Sequence, residues 1–442
     1  MKKLYILGLL IFSGGLFAQE PGENFEKCLS HKYIEYLDSK HDGYAELVDE
    51  SFDFAKNASL KKTNEQYVIP VVVHVVYDTE EKNLHDSTIH RQIELLNADF
   101  QRKNADTVNM RTDFEIVKGN PNIQFKLAQI DPDGNPTNGI VRTETNLETF
   151  GDASAFSGDM SSLERVKESI EGGSDAWNTN RYMNIWICDM SISFFGFDPM
   201  TAILGYASPP AGLPNWPPGS VPDLIDGVVI QYQAIGDNND HELDYPDGSS
   251  GFALGRTLTH EVGHYLGLRH IWGDGDCNMD DGIDDTPNAD SESDFDCDDS
   301  KNSCVDNIQG IDLPDMIENY MDYSAEDCQN TFTQGQVELM RGVLENQRYD
   351  LVHDNPANLN EFEISVELYP NPVSESLTLK IEDTQADLVS VYSIQGRRVL
   401  EQDISNSGGV SNIDFSSLEN GVYMLNVMNK GSVLSRQRVV KK

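Results

Sequence analysis

Eleven residues in the second half of the chain, HEVGHYLGLRH, hold three histidines and one glutamate. On an α-helix, side chains four residues apart project from the same face, so His260 and His264 can bind one metal ion. Gly267 can adopt the left-handed conformation that ends a helix, which lets the chain turn back and bring His270 to the same ion. Three nitrogen ligands with one open position are typical of catalytic zinc, so the stretch predicts such a site.

Glu261 follows the first histidine on the same helical turn. Its carboxylate would lie close enough to take a proton from water at the metal without binding the metal itself. The simpler alternative is a set of surface or core histidines near a helix end. The full HExxHxxGxxH spacing is much more specific than HExxH alone, so we favour a hydrolase with Glu261 as the general base.

A second short segment, NYMDYS at residues 319–324, lies downstream of the histidines. Turn-forming residues surround Met321, which could provide a soft, polarisable floor beneath the metal. A methionine turn of this kind accompanies the extended histidine motif. The phenol of Tyr323 could donate a hydrogen bond to the oxyanion of a tetrahedral intermediate, and ring packing is its alternative role.

Together the two segments resemble the pappalysin branch of the metzincin metallopeptidases. The likeness extends over residues 65–348 and includes HIWG, DGIDDTP and MDYSAEDCQNTFTQGQ. It implies zinc ligands at His260, His264 and His270, a general base and acid at Glu261, the Met-turn at Met321, and transition-state stabilisation by Tyr323.

The acidic residues are concentrated next to the histidine motif. Residues 274–299 contain twelve Asp or Glu and neither Lys nor Arg. Such a segment repels itself unless hard cations such as calcium neutralise it, and a solvated acidic loop is the alternative. The resemblance places a calcium site on DGIDDTP, which makes Asp281, Asp285 and Thr286 the candidate ligands.

Four of the six cysteines fall in this same loop-like region: Cys277, Cys297, Cys304 and Cys328. In an exported protein such cysteines favour disulfide bonds. A structural zinc site is the alternative, although the spacing contains no CxxC pair. The resemblance implies the pairs Cys277–Cys304 and Cys297–Cys328.

The remaining cysteines are Cys28, near the amino terminus, and Cys188, in the apolar stretch YMNIWIC. A buried thiol at Cys188 can serve as a small apolar side chain. The thiolate of Cys28 could occupy the open zinc position and keep the enzyme latent, as the pappalysin resemblance implies. A Cys28–Cys188 disulfide is the alternative. The family commonly has Arg-Cys-Gly here, whereas this chain has Lys-Cys-Leu.

The two ends of the chain differ from its middle. Residues 1–18 pair two lysines with a short apolar run, as a signal peptide does, and no stretch has the roughly 18 apolar residues that a spanning helix needs. Residues 19–62 are polar, favour helices and end in two lysines, which suggests a removable pro-segment. The predicted divisions are a signal peptide 1–18, a pro-segment 19–62, a catalytic domain 63–352, a linker 353–365 and a sandwich domain 366–442.

The middle of the chain reads as an α/β domain of the metzincin kind, a twisted sheet with an active-site helix. The β-branched run YVIPVVVHVVY predicts a central strand buried on both faces. Further strands are expected at 123–130, 183–188 and 227–232, and helices at 86–101 and 161–178. These elements precede the histidine stretch.

The last 77 residues alternate short apolar segments with Gly, Asn and Ser, and contain neither histidine nor cysteine. This pattern predicts a small all-β sandwich without chemistry of its own. It resembles a type IX secretion sorting domain of the Bacteroidetes. The resemblance implies contact with the type IX secretion machinery, and a mature protein that is released or attached to the outer cell surface.

We therefore predict a secreted zinc endopeptidase, made as a zymogen, that acts on proteins or peptides. Its net charge of -42 argues against nucleic acid as a partner. Glu326 occupies the position at which the resembling family has an acidic residue, at the base of the pocket for the side chain just after the scissile bond. A carboxylate there favours Arg or Lys in the substrate, and Asp327 could share that role. The alternatives are a calcium-stabilised surface adhesin that has lost catalysis and a metzincin of another branch.

Overall fold

The computed structural model describes residues 26–58, 60, 65–192, 201, 203–212, 224–244, 250–293, 295–353, 366–381, 386–393, 398–405, 409–429 and 432–442. The predicted signal peptide, the lysine pair at 61–62 and residues 354–365 of the predicted linker lie outside them.

The described part of the chain contains helices and strands in alternation. The α-helices are α1 (Ser30–Lys40), α2 (Tyr44–Lys56), α3 (Asp86–Phe100), α4 (Ser161–Glu164), α5 (Arg256–Tyr265), α6 (Gln334–Glu345) and α7 (Tyr349–His353). Short 3-10 helices span Ala105–Asn109, Thr112–Ile116, Ala153–Ser157, Arg165–Lys167, Ser169–Glu171 and Tyr232–Ala234. The strands are β1 (Glu26–Cys28), β2 (Tyr67–Tyr77), β3 (Ile123–Leu127), β4 (Ile140–Glu144), β5 (Met183–Cys188), β6 (Ile203–Ala207), β7 (Val228–Gln231), β8 (Leu243–Asp244), β9 (Ser250–Gly251), β10 (Val366–Tyr369), β11 (Ser376–Ile381), β12 (Leu388–Ser393), β13 (Arg398–Asp403), β14 (Val410–Asp414), β15 (Gly421–Asn429) and β16 (Ser432–Lys441).

Seven strands form one mixed sheet in the order β1-β6-β7-β5-β2-β3, and β4 also pairs with β2. Strand β6 runs antiparallel to β7, whereas the other pairings are parallel. The β-branched run of β2 is buried along nearly its whole length, as a strand covered on both faces should be. The sheet and the helix that carries the histidines confirm the predicted α/β architecture.

Each face of the sheet is covered by its own core. Met183, Ile185 and Ile187 of β5 pack with apolar residues of α3, α5 and α6 on one face. Trp186 and Cys188 alternate with them and belong to a second core on the opposite face. The active-site helix α5 therefore lies on the first face only.

The amino-terminal segment 26–58 is part of this domain. Its helices α1 and α2 agree with the helix-favouring composition, but strand β1 has too few residues to show a periodic pattern. Cys28 lies opposite Gly205 in the parallel pairing with β6, and Leu29 donates its N–H to the Gly205 carbonyl at 3.0 Å. The segment thus covers the edge that β6 would otherwise present.

The long helix predicted over residues 161–178 is wrong. Helix α4 ends at Glu164, two 3-10 turns follow, and the chain is extended at Glu168. Gly172 has a φ of 94°, and a Cβ at Gly173 would overlap the backbone of the preceding turn. The glycine pair interrupts the apolar periodicity, and tertiary packing of that turn decides the conformation.

The carboxy-terminal domain consists of two antiparallel sheets, β10-β11-β14 and β13-β12-β15-β16. Its apolar core is built from residues 373–439 alone. This arrangement confirms the predicted small all-β domain. Among all described helices of the chain, none has the length and apolar content needed to cross a membrane.

Candidate metal centre and active site

Helix α5 places the first part of the site. It begins after Gly255, whose φ of 82° is favourable for glycine, and all of its residues are buried. It packs against β6 and β7, and Glu261 faces Gly205 so closely that a Cβ at Gly205 would lie 2.9 Å from the glutamate Oε1. The sheet edge and the catalytic helix can approach each other this closely because residue 205 has no side chain.

The three histidines of the motif converge. Gly267 has a φ of 96° just after α5, and the chain turns there as the sequence predicts. The Nε2 atoms of His260 and His264 are 3.1 Å apart, those of His264 and His270 are 3.1 Å apart, and those of His260 and His270 are 3.3 Å apart. Such spacing suits three ligands on one small cation.

The other ring nitrogens of these histidines have acceptors. The Nδ1 atoms of His260 and His264 lie 2.7 Å and 2.8 Å from the carbonyls of Tyr320 and Leu268. Burial lowers the pKa of His260 well below its usual value and that of His264 to about 3. The two rings are therefore neutral, with Nδ1 protonated and the Nε2 lone pair directed inward.

Asp274 holds the third ring, a role that sequence reasoning missed. Its Oδ1 lies 2.5 Å from His270 Nδ1. Burial raises the pKa of Asp274, but the neighbouring imidazole of His270 outweighs this effect and the pKa is lowered to about 2. The sequence does show a carboxylate four residues after the last histidine, which could have suggested this role. It could not be distinguished from the other acidic residues that follow it.

Met321 packs against the helix that carries the first two histidines. Gly263 of α5 packs against its sulfur, and a Cβ at that position would overlap Sδ. The turn is held by Asn319, whose Oδ1 accepts the Met321 N–H at 3.0 Å and whose Nδ2 donates to Gln336 Oε1 at 2.9 Å. Met321 therefore packs against the glycine that lies between Glu261 and His264 on α5.

Glu261 and Tyr323 both lie next to the histidine cluster. Burial raises the pKa of Glu261 to about 7. The ring of Tyr323 lies 5.0 Å from that of His270 and 5.6 Å from that of His260, measured between centroids, and its hydroxyl donates to the Cys28 carbonyl at 3.1 Å. Both side chains therefore face the space in front of the histidines.

The amino-terminal segment occupies that space. The sulfur of Cys28 and the ring nitrogens of the three histidines all lie within 4.8 Å of one another. The thiol also lies 3.3 Å from Glu261 Oε2, and Ser30 donates its hydroxyl to the same oxygen at 2.9 Å. Cys188 is likewise buried and free, so the structure contains no Cys28–Cys188 disulfide.

Lys27 enters a second pocket beside the histidines. Its side chain is buried, its ammonium donates to the Ser324 carbonyl at 3.3 Å, and it lies 5.7 Å from the ring centroids of Phe295 and Tyr323. Burial lowers the pKa of Lys27, while Glu326 is the largest of the charges that oppose this shift.

Glu326 itself is fixed by the start of α5. It accepts the N–H groups of Leu254 and Thr257 at 2.5 Å and 2.8 Å, together with the Thr257 hydroxyl at 3.1 Å. The neighbouring Asp327 is exposed and lies 3.5 Å from the Cys297 sulfur. Glu326 therefore faces the start of α5, whereas Asp327 lies at the surface beside a disulfide.

The acidic loop is closed by the disulfides Cys277–Cys304 and Cys297–Cys328, the pairing that the resemblance implies. Asp281 is fully buried and Asp285 partly so, and each has one buried carboxylate oxygen without a hydrogen-bond partner. Burial raises the pKa of both. Thr286 lies behind them, with its hydroxyl 3.5 Å from that of Thr333.

The family model described as pregnancy-associated plasma protein-A, peptidase M43, matches residues 243–345. A solved structure of mature mirolysin from Tannerella forsythia, in complex with a cleaved peptide, is 41% identical to this chain. The alignment covers 97% of the mirolysin chain and 66% of this chain, with a TM-score of 0.54. The chain belongs to the pappalysin family of metallopeptidases.

Other relatives support this membership. A structure of a promirolysin mutant from the same organism is 37% identical to this chain. The alignment covers 97% of the promirolysin chain and 74% of this chain, with a TM-score of 0.60. An extracellular metalloprotease of Arthroderma benhamiae is 29% identical over 306 residues, which are 68% of this chain and 80% of that protein.

A second family model, for a secretion system C-terminal sorting domain, matches residues 367–442. The pappalysin is thus a metalloendopeptidase that is secreted or attached to the cell surface, and it carries a sorting domain at its carboxyl end. It depends on a catalytic metal, for which the histidine cluster is the available site.

Proposed function

We propose that this pappalysin is a zinc endopeptidase made as a zymogen, with the metal held by His260, His264 and His270. The observation that carries the proposal is the set of three Nε2 atoms within 3.3 Å of one another. Nδ1 of each ring lies next to an oxygen, so the three Nε2 atoms are left as a nitrogen donor set of the kind that zinc takes.

When bound, zinc would lower the pKa of a water molecule and polarise the peptide carbonyl. Glu261 would accept the proton of the attacking water and deliver it to the leaving amine. Two features support this role. The carboxylate lies beside the histidines, and Gly205 leaves it the room to reach the edge of β6.

Tyr323 would stabilise the oxyanion of the tetrahedral intermediate. Its hydroxyl already bonds a peptide carbonyl, that of Cys28, at 3.1 Å in front of the histidines. Tyr323→Phe should lower kcat more than it raises KM, because this hydrogen bond would strengthen in the transition state. An unchanged kcat would leave ring packing as its role.

The same site would favour Arg or Lys immediately after the scissile bond. Support comes from Lys27, a buried basic side chain whose ammonium lies 3.3 Å from the carbonyl of Ser324 and whose pKa is raised by the charge of Glu326 against the effect of burial. A fixed carboxylate in a pocket recognises a cation by charge-assisted hydrogen bonds.

Latency would come from the pro-segment, with Cys28 as the ligand at the open metal position. A thiolate there would displace the catalytic water. Processing within residues 59–64, where Lys61 and Lys62 lie, would separate the pro-segment 19–62 from the catalytic domain 63–352.

Calcium would stabilise the acidic loop through Asp281, Asp285 and Thr286. The two carboxylate oxygens without partners are costly to bury, and a hard cation would satisfy them. Chelation of calcium with zinc left in place should lower the melting temperature and speed proteolysis within 274–299. Identical melting curves would mean that the loop is only a solvated face.

We also propose that the sorting domain 366–442 is read by the type IX secretion machinery and then removed or used for attachment. The linker 353–365 would separate it from the enzyme.

The function is tested with wild type and Glu261→Ala, each assayed for bound metal and for cleavage of casein. We expect one zinc per chain in both, and loss of at least about three orders of magnitude in kcat for the variant, because the carboxylate moves protons and is not a ligand. Residual turnover within tenfold of wild type would contradict the assigned mechanism. A wild-type protein with neither zinc nor activity would favour the adhesin.

A further inference from the structure

Tyr33 of the pro-segment fills a pocket that the catalytic chemistry does not use. It lies on helix α1, one turn after Leu29, and its side chain is fully buried. The pocket lies against Tyr206 of β6, the residue that follows Gly205, and belongs to the core on the face of the sheet opposite α5. It therefore adjoins the site without being part of it.

The pocket binds the phenol oxygen of Tyr33 by two charged groups. The hydroxyl donates to Glu164 Oε2 at 2.9 Å and accepts from Lys167 Nζ at 3.0 Å. Glu164 and Lys167 are also bonded to each other, at 2.7 Å, and the lysine side chain is fully buried. Hydrogen bonds to ionised groups are stronger than neutral ones, so the pocket recognises a hydroxyl as well as a ring.

The walls of the pocket are aromatic and cationic. The Tyr33 and Tyr206 rings have centroids 5.1 Å apart. The ammonium of Lys167 lies 4.7 Å from the Tyr33 centroid, 5.1 Å from that of Tyr206 and 5.8 Å from that of Trp186. A cation at such a distance from an aromatic face is attracted to it.

The charged groups that bind the Tyr33 hydroxyl and the ring of Tyr206 belong to the catalytic domain, whereas Tyr36, whose ring is stacked with that of Tyr33 at 6.3 Å, belongs to the pro-segment. When the pro-segment leaves, Tyr206 and Lys167 still hold Glu164, at 3.0 Å and 2.7 Å, and the Ile225 carbonyl still accepts from the ammonium at 3.1 Å. The second oxygen of Glu164 and one ammonium hydrogen then lose their partner. A pocket in which two charged groups keep their mutual ion pair but each has one open hydrogen-bonding position can bind another phenol.

The place of the pocket along the cleft follows from the chain direction. Lys27 and Tyr33 lie on opposite sides of Cys28 in the sequence. The Lys27 ammonium lies 3.3 Å from the carbonyl of Ser324, two residues before Glu326, and 5.7 Å from the ring centroids of Phe295 and Tyr323. A substrate that puts its basic residue after the scissile bond at Glu326 would therefore bring its preceding residues towards Tyr206. Strand β6 can bond such a peptide once β1 has left its edge.

We propose that the Tyr33 pocket is a substrate subsite that takes a tyrosine side chain from the residues preceding the scissile bond. The inference rests on the proposed removal of the pro-segment and adds a second selected side chain to the substrate class. Tyr33, which fills the pocket in the zymogen, shows the size and the hydrogen bonds of a side chain that fits.

The test uses quenched fluorogenic peptides that share an Arg after the scissile bond and carry Tyr, Phe or Ala in turn at each of the four preceding positions. The enzyme is the processed protein, as wild type, as Glu164→Gln, and as the control Glu171→Gln, an exposed carboxylate nearby. At one position we expect Tyr to exceed Phe by about tenfold in kcat/KM, through the bond to a charged group. That ratio should fall to about threefold or less in Glu164→Gln and stay unchanged in the control.

Cleavage of every peptide without a preference for Tyr at any preceding position would overturn the subsite while leaving the peptidase intact. If nothing is cleaved, the proposed function fails instead, and fluorescence anisotropy with labelled Tyr and Phe peptides on chain trimmed by trypsin still decides the subsite. Equal affinities there would overturn it, whereas tighter binding of the Tyr peptide that Glu164→Gln abolishes would support it.

Discussion

The two ends of the chain are both attached to the same enzyme, but they are built in different ways. The amino-terminal segment 26–58 has no core of its own. Its apolar side chains belong to cores of the catalytic domain, and Cys28 lies within 4.8 Å of the histidine nitrogens. The described strands of the carboxy-terminal domain 366–442 pair with one another and enclose a separate apolar core.

This difference indicates different roles. A segment that depends on the catalytic domain for its fold can be released by one cleavage and then lose its structure, which suits an inhibitor that acts once. A domain with its own core keeps its fold wherever it is delivered, which suits a sorting signal. The contacts at the active site should therefore control activity, whereas loss of the sandwich should leave catalysis unchanged.

Among the changes that compare the two ends, Cys28→Ala in the unprocessed chain is expected to have the largest effect. Loss of a bond between the pro-segment and the metal should raise activity before cleavage on the order of a hundredfold, since every 1.4 kcal/mol changes an equilibrium tenfold. The measurement is initial cleavage of a fluorogenic peptide, with Cys188→Ala, the other free buried cysteine, as the control. Unchanged latency would assign inhibition to steric blocking alone.

Glu326→Gln tests whether Lys27 of the amino-terminal segment takes the place of a basic substrate side chain. If Lys27 stands in for a substrate side chain, the variant should lose about tenfold of its preference for Arg or Lys after the scissile bond. Sequencing of products from a peptide library measures this preference. Asp327→Asn is the matched control, because its exposed carboxylate lies near a disulfide sulfur and not in the pocket. Absence of Arg and Lys at new amino termini in wild type would refute the pocket itself.

Ser30→Ala should have a smaller effect of the same sign. The hydroxyl of Ser30 donates to Glu261 and accepts the Ala207 N–H, both at 2.9 Å, so its loss frees the base while the thiol remains in place. A net hydrogen bond of about 1 kcal/mol corresponds to roughly fivefold faster self-processing. Gel analysis of processing over time checks this, with the exposed Ser39→Ala as the control. Equal rates in the two variants would remove Ser30 from the inhibitory contacts.

The smallest effect is expected at the other end. A processed chain that stops at residue 353 should keep kcat/KM within about twofold of the full protein, because every residue assigned to metal binding or catalysis lies before that point. Circular dichroism and the peptide assay together measure fold and activity. A loss of activity in a folded product would mean that the sandwich contributes to the site, and the contrast between the ends would fail.

Sequence alone could predict the parts of this site that depend on local spacing. His260, His264, Gly267 and His270 lie within a helix and the turn that ends it, so their convergence follows from helical geometry. Asp274 was missed, because a single carboxylate within an acidic run carries no distinguishing pattern. Its role becomes visible only when its oxygen lies 2.5 Å from a histidine nitrogen.

The fold shows the same limit. The long apolar strand β2 and helix α3 were predictable from their periodicity, whereas β1 has three residues and is a strand only because β6 offers it an edge. The helix expected over 161–178 ends at Glu164, and 3-10 turns continue to the glycine pair at 172–173. In this conformation Lys167 bonds the Tyr33 hydroxyl, a contact that no local pattern predicts. Pairings between distant residues decide such positions.

The central claim is that the pro-segment binds at the zinc through Cys28. X-ray absorption at the zinc edge, recorded on the full chain before and after processing, tests it most directly. Before processing we predict three nitrogen ligands at about 2.0 Å and one sulfur at about 2.3 Å, and after processing the sulfur should be replaced by oxygen. A first shell without sulfur in the unprocessed protein, or one with fewer than three nitrogens, would contradict it.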